Sequence, residues 1–342
     1  MRALNRPLLP GKLPNELLGK FLAELAFDPT VLIPPAVGED TTAVNIEGEE
    51  VLILKSDPIT FAADAIGLYT VLINANDIAC SGARPRWLLT TLLLPLGTTG
   101  HQALDIMAEL KQVCAEWDIA LCGGHTEVTD AVTRPVVVGM LAGTVTREEL
   151  VDKRAMNTND RVLLSKGVAV EGTALIAREF PELLTEKGIS KEDIQTCRQL
   201  LSRLSILKEA EIAARHPGVT GLHDVTEGGL ATALGELGTA GGHRIRVNME
   251  KIPIFTETRK VCAALGLNPL GLIGSGSLLI CCTPETSAEL IEKIEKSGIR
   301  VTPIGEVGEA GTGIEAFQNG TPADWPQFET DELTRLFPPS TT

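Results

Sequence analysis

The chain has 342 residues and a formal net charge of -15, with 44% hydrophobic, 22% charged and only 4% aromatic residues. That length exceeds what one core usually organises, so two domains packed on aliphatic side chains are expected. The acidic balance argues against nucleic acid and anionic membrane, which both call for a basic face, and favours a small-molecule partner. Seven cysteines without a C-x-x-C pair fit reduced thiols and a cytoplasmic location. No apolar run approaches the ~18 residues of a membrane span, and MRALNRPLLPGKLP is too short in its apolar part for a signal peptide.

Taken in chain order, a short helix at ELLGKFLAEL precedes the turn-rich DPTVLIPPAVGED and strands around TTAVNI and EVLILKSD. Residues 66–82 place Leu68, Val71, Leu72, Ala75, Ile78 and Ala79 at helical spacing, with Gly82 as the stop. WLLTTLLLPL reads as a buried strand, HQALDIMAELKQVCAEW as an amphipathic helix, and IALCGG and residues 135–145 as further strands. The polar TREELVDKRAMNTND reads as an interdomain connection, giving expected domains 1–155 and 156–342. Beyond it, strands and helices alternate again, with helices over about 171–180 and 193–215 and one at EGGLATALGELG. The expectation is two α/β or α+β domains, with the sheet topology left open.

Three acids interrupt segments that otherwise look buried: Asp40 in VGEDTTAV, Asp57 at the end of LILKSD, and Asp77 on the helical stretch. Taken singly, each is as well read as a cap or turn residue, although a cap fits Asp77 least. Convergence of such carboxylates at ~4 Å would cost on the order of 4 kcal/mol per pair at an effective dielectric of ~20, and so would call for a cation. Oxygen-only ligands suit magnesium, and Lys55, two residues before Asp57, could offset phosphate charge or be an ordinary surface lysine. In CGGHTE, paired glycines could let the backbone approach a ligand beside His125, Thr126 or Glu127, or could simply make a tight turn. LHDVTEGGL sets Asp224 and Thr226 before a helix start, which suits an anion or a tightly packed cap, and SKGVAVEGTAL is a similar turn. The P-loop, dinucleotide and nucleophile-elbow patterns are absent from the sequence.

Taken together, GKLPNELL, GEDTTAV, SDPIT, NDIACSGARP, GGHTE and HDVTEGGLATAL resemble the aminoimidazole ribonucleotide synthetase-like (PurM-like) superfamily across nearly the whole chain. The ordered set carries the resemblance; no single member does. The run from HDVTEGGLATALGELG to GSLLI is most similar to the carbamoyl dehydratase (HypE-like) branch of hydrogenase maturation. The resemblance implies an N-terminal α/β domain whose sheet pairs across a homodimer, a C-terminal α+β domain, and Mg2+-ATP in the cleft between them. By position it implies Asp40, Asp57 and Asp77 as metal and phosphate ligands and Lys12 as a phosphate contact. It also implies Asp224 as a cleft acid, with Gly123, Gly124 and Thr126 lining the nucleotide and Glu127 beside them. Two departures stand out: His125 where many members have an acid, and no cysteine after Cys282, whereas the dehydratase carries its substrate on a C-terminal cysteine.

The expected function is an ATP- and magnesium-dependent enzyme that phosphorylates or activates an oxygen of a small molecule, with His125 and Asp224 as general-base candidates. The alternatives are a non-catalytic ATP-binding maturation factor and a small-molecule kinase similar to thiamine-monophosphate kinase.

Overall fold

The computed structural model describes residues 29–337 except 35, 47 and 63, together with Asn15 and Gly19. Lys12 and, apart from Gly19, the expected helix at ELLGKFLAEL lie outside the described residues.

The first half builds a mixed sheet from β1 (Val31–Ile33), β2 (Thr42–Asn45), β3 (Glu50–Ile59), β4 (Arg84–Pro95), β5 (Ala120–Thr129) and β6 (Val136–Thr146). Its order is β1-β2-β3-β6-β4-β5, with β4 and β5 parallel and the other neighbours antiparallel. Helices α1 (Ile66–Cys80) and α2 (Gly100–Glu116) belong to this half, and a reciprocal Thr99–Gln102 capping box starts α2.

The second half builds its sheet from β7 (Arg161–Ser165), β8 (Val219–Asp224), β9 (His243–Asn248), β10 (Leu278–Cys282), β11 (Val301–Ala310), β12 (Ile314–Gln318) and β13 (Thr321–Ala323). Their order is β13-β12-β9-β11-β7-β10-β8. The helices here are α3 (Val170–Glu179), α4 (Pro181–Glu186), α5 (Lys191–Gln199), α6 (Leu207–Ala214), α7 (Gly229–Gly241), α8 (Thr256–Leu265) and α9 (Pro284–Glu295). Two mixed sheets with covering helices make a two-domain α/β fold. No helix among the described residues is long and apolar enough to cross a membrane.

Helix α1 joins the halves. It packs against β3 and β6 on one side and β8 and α6 on the other, and all its residues except Leu68 are buried. A helix apolar all round belongs inside a protein, so the polar Asn74, Asn76 and Asp77 upon it need partners. Asn76 finds them in the backbone of the second half: its amide donates to the Leu204 carbonyl and its oxygen accepts from Ile206 N–H, both at 3.0 Å. That clamp explains a difference from the expected helix over 193–215. The chain instead forms α5, a 3-10 turn at Leu200–Arg203 and α6, broken where Asn76 captures the backbone. The interruption carries no proline or glycine, so nothing local announces it.

Candidate active site

Five elements deliver charge to one cavity of about 250 Å³ between the sheets, lined by residues 36–40, Lys55, Asp57, Asp77, His223, Thr226 and Glu236 among others. On β3, Lys55 and Asp57 share a face because strand side chains alternate. In the last turn of α1, Asp77 lies 3.1 Å from the Lys55 ammonium, while Asp57 lies 3.7 Å from it. The loop before β2 brings Asp40. It comes close to α7 only because residue 38 is glycine, since a Cβ there would stand 2.1 Å from the Glu236 carbonyl oxygen at a φ of +86°.

Asp40 is the most heavily paired of the three acids. Its Oδ1 lies 2.6 Å from His223 Nδ1 and its Oδ2 2.8 Å from Lys153 Nζ, which also reaches Glu39 at 3.4 Å. Burial alone would raise the Asp40 carboxyl, but His223 and Lys153 outweigh it and hold it well below the usual carboxylate range. Burial pulls the His223 imidazole down and Asp40 pulls it up more strongly, to about 9, so this buried pair is charged at neutral pH. Asp40, Cys80 and Asp224 place ligand atoms within 4.8 Å of one another.

Asp77 is in the opposite condition. Burial pushes its carboxyl well up, and Asp224, Asp57 and Asp40 add to that push while Lys55 opposes it. Its Oδ2 has no hydrogen-bond partner among the described residues. Lys55 stays a cation, because Asp77, Asp57, Asp224 and Asp40 overcome its own burial. One ammonium facing these acids leaves negative charge that a proton on Asp77 or a divalent cation can neutralise. A hard cation with oxygen ligands suits the free Asp77 oxygen and the half-exposed Asp57, whereas Asp40 would have to exchange His223 or Lys153 to ligate it.

The structure brings Asp40, Lys55, Asp57, Asp77 and Asp224 into one neighbourhood. It does not bring CGGHTE there. Gly123, Gly124, His125, Thr126 and Glu127 lie within β5, at the sheet edge three strands from β3, and β5 is exposed along nearly its whole length. The paired glycines serve the sheet itself: the β4–β5 register slips at Leu88/Leu89, and a Cβ on Gly124 would stand 1.8 Å from the Thr90 carbonyl oxygen. His125 Nε2 and Glu127 Oε2, two residues apart on one strand face, pair in the open at 3.1 Å. Within one chain, then, β5 lies apart from the acid cavity, and His125, Gly123, Gly124, Thr126 and Glu127 do not line it.

His223, Lys153, Glu39 and Glu236 escaped the sequence reading. His223 was signalled by its place next to Asp224 in LHDVTEGGL, whereas Lys153 lies in a polar stretch that reads as a linker. A third buried group, Glu171 in the first turn of α3, has its carboxyl pushed up to about 7 by burial, with the neighbouring Ser275 opposing. Asp331 accepts from Gly228 N–H at 2.7 Å, tying the C-terminal segment to the glycine turn before α7.

Two mixed sheets with a buried carboxylate-and-lysine cavity between them define a two-domain α/β protein equipped to manage concentrated negative charge. Residues 38–145 match the model of the AIR synthase related protein N-terminal domain, and residues 157–316 that of its C-terminal domain. The chain belongs to the AIR synthase related family. It is 26% identical over 285 residues to a protein of Methanocaldococcus jannaschii named for hydrogenase expression and formation, covering 83% of this chain and 78% of the relative. It is 26% identical over 284 residues to the carbamoyl dehydratase HypE of Cupriavidus necator, covering 80% and 78%. Among solved structures, the hydrogenase maturation protein HypE in complex with ATP superposes with a TM-score of 0.69 at 20% identity, covering 92% of this chain and 96% of that one. AaThiL complexed with AMPPCP and TMP gives a TM-score of 0.69 at 20% identity, covering 92% and 95%.

Proposed function

We propose that this chain is an ATP-using, magnesium-dependent enzyme that phosphorylates or activates an oxygen of a small-molecule substrate, with the nucleotide's phosphates at the acid cavity. The observation that carries this reading is the convergence of Asp57, Asp77 and Asp40 on one side of Lys55, with a buried Asp77 oxygen left without a hydrogen-bond partner among the described residues. The relatives named as carbamoyl dehydratase and the neighbours solved with ATP or AMPPCP support a nucleotide as the anionic ligand.

Magnesium held by Asp57 and Asp77 would neutralise phosphate charge and carry the phosphates into an otherwise repulsive site. Lys55 supplies a fixed ammonium beside them. Burial and the neighbouring Asp224, Asp57 and Asp40 raise the Asp77 carboxyl against the pull of Lys55, and a divalent cation held there would supply the positive charge that favours its ionised form. Asp40, locked between His223 and Lys153, orients the loop before β2 and helps hold the two halves together. Asp224 is the base candidate that remains in reach, at the end of β8 where both sheets contribute. Catalysis here is positioning and charge neutralisation more than covalent chemistry.

The same proposal includes a homodimer and a domain division near residue 155. The β5 edge has no neighbouring strand among the described residues, and Leu89, Leu121, Val128 and Met140 are exposed on this part of the sheet. Uncovered edges and apolar patches of this kind invite a partner. A second copy seated there would bury that face and give Gly123, Gly124, His125, Thr126 and Glu127 a ligand to meet across the interface.

Release of ADP or AMP from Mg-ATP, stimulated by a small molecule from a metabolite panel and abolished by EDTA, tests the enzyme reading. Tight Mg-ATP binding with no turnover under any substrate would instead make the protein a nucleotide-binding maturation factor.

A further inference from the structure

Away from the acids, a groove of about 850 Å³ opens in the second half, between the 3-10 turn before α6, the segment Glu250–Glu257 and the loop Gly298–Arg300. It shares no lining residue with the acid cavity. Its charge is of the opposite kind. In a chain of net charge -15, this groove is lined by Arg203, Lys208, Lys251, Arg259 and Arg300, and none of the five has an ion-pair partner among the described residues. Glu250 and Glu257 also line it without pairing to them.

At the floor lies Lys166, whose ammonium is held 2.7 Å from the Ser205 and Gly276 carbonyl oxygens and 2.7 Å from Glu209 Oε1. Ser165 Oγ donates to the same Glu209 oxygen at 3.0 Å. The other oxygen, Oε2, is buried and has no hydrogen-bond partner among the described residues, although Glu209 borders the groove. Leaving such an oxygen without a donor is costly. On the apolar side, the Arg203 guanidinium lies over the Phe255 ring, 5.4 Å from its centre, and is held there as a flat cation.

Unpaired arginines and lysines around a concavity of small-molecule size suit a phosphate, which arginine engages through two parallel hydrogen bonds. We propose that this groove binds a phosphate-bearing small molecule that also carries an amine or hydroxyl donor, its phosphate among Arg203, Arg300 and their neighbours and its donor on Glu209 Oε2. The groove thereby forms a second anion site, separate from the nucleotide cavity.

The test is a ligand-detected NMR titration of the full chain with O-phosphoethanolamine, in EDTA so that the acid cavity holds no cation. Saturable binding is expected, at least tenfold weaker in Arg203→Glu and in Arg300→Glu, and several-fold weaker for ethyl phosphate, which has no donor for Glu209. Asp57→Asn should bind the probe as the parent does, which separates this site from the proposed nucleotide site. Absence of saturable binding, or parent-like affinity in both arginine variants with circular dichroism showing them folded, would overturn the proposal. Equal affinity for the two phosphates would overturn the Glu209 contact.

Discussion

The β1–β3 end and the β5 end of the N-terminal sheet treat polar side chains in opposite ways. At the β3 end, charges are buried and answer one another across both halves of the chain: Lys55 with Asp57 and Asp77, and Asp40 with His223 and Lys153. At the β5 end, His125 and Glu127 pair in solvent on an edge strand. Buried charge is expensive unless paired, so the β3 end has to be organised within a single chain. Exposed charge costs little, so the β5 end can wait for whatever covers it.

The contrast is broken most severely by removing a partner of a buried charge. Lys153→Ala leaves Asp40 and Glu39 without their ammonium and should cost about 3–5 kcal/mol in urea unfolding, the range for breaking one side of a buried pair. A loss under 1 kcal/mol would mean that water reaches Asp40. At the other end, Gly124→Ala should cost on the order of 3 kcal/mol, because its Cβ would collide with Thr90 backbone and part β4 from β5. An unchanged unfolding midpoint would show that the strands separate without penalty.

Glu171 supplies a pH-dependent test of the buried end. Its folded-state carboxyl, raised to about 7 from an ordinary 4.5 by burial, holds its proton more tightly than the unfolded chain does. Its contribution is therefore full below pH 4.5 and declines as pH rises through 7, by on the order of 3 kcal/mol at ~1.4 kcal/mol per unit. Glu171→Gln, permanently neutral, should flatten that decline and be more stable than the parent at pH 8 but not at pH 4. Parallel stability curves would contradict the assignment. The smallest effect should come from His125→Ala, within ~0.5 kcal/mol for an exposed pair; a larger loss, accompanied by dissociation in sedimentation, would place His125 in an interface.

Legibility followed the range of the forces involved. Strands such as β3 and β4 and helices α1 and α2 were readable because their apolar spacing is local, and the family signal came from the order of short motifs. Asp57 and Lys55 could be paired from alternation on one strand. Lys153 and His223 could not be assigned to Asp40, because those contacts cross more than a hundred residues and no local pattern encodes them. The break between α5 and α6 was hidden for the same reason, since its cause, Asn76, lies on α1. CGGHTE stands out in the sequence, but its glycines answer to the Thr90 backbone of the neighbouring strand.

In the proposed function Asp57 and Asp77, beside Lys55, form the metal-and-phosphate site of a nucleotide. The most direct measurement is equilibrium binding of ATP to the parent, Asp57→Asn and Asp77→Asn with and without magnesium. Saturable binding is expected only with magnesium in the parent, and at least tenfold weaker binding in each variant. Parent-like affinity in both variants, or binding indifferent to magnesium, would contradict it.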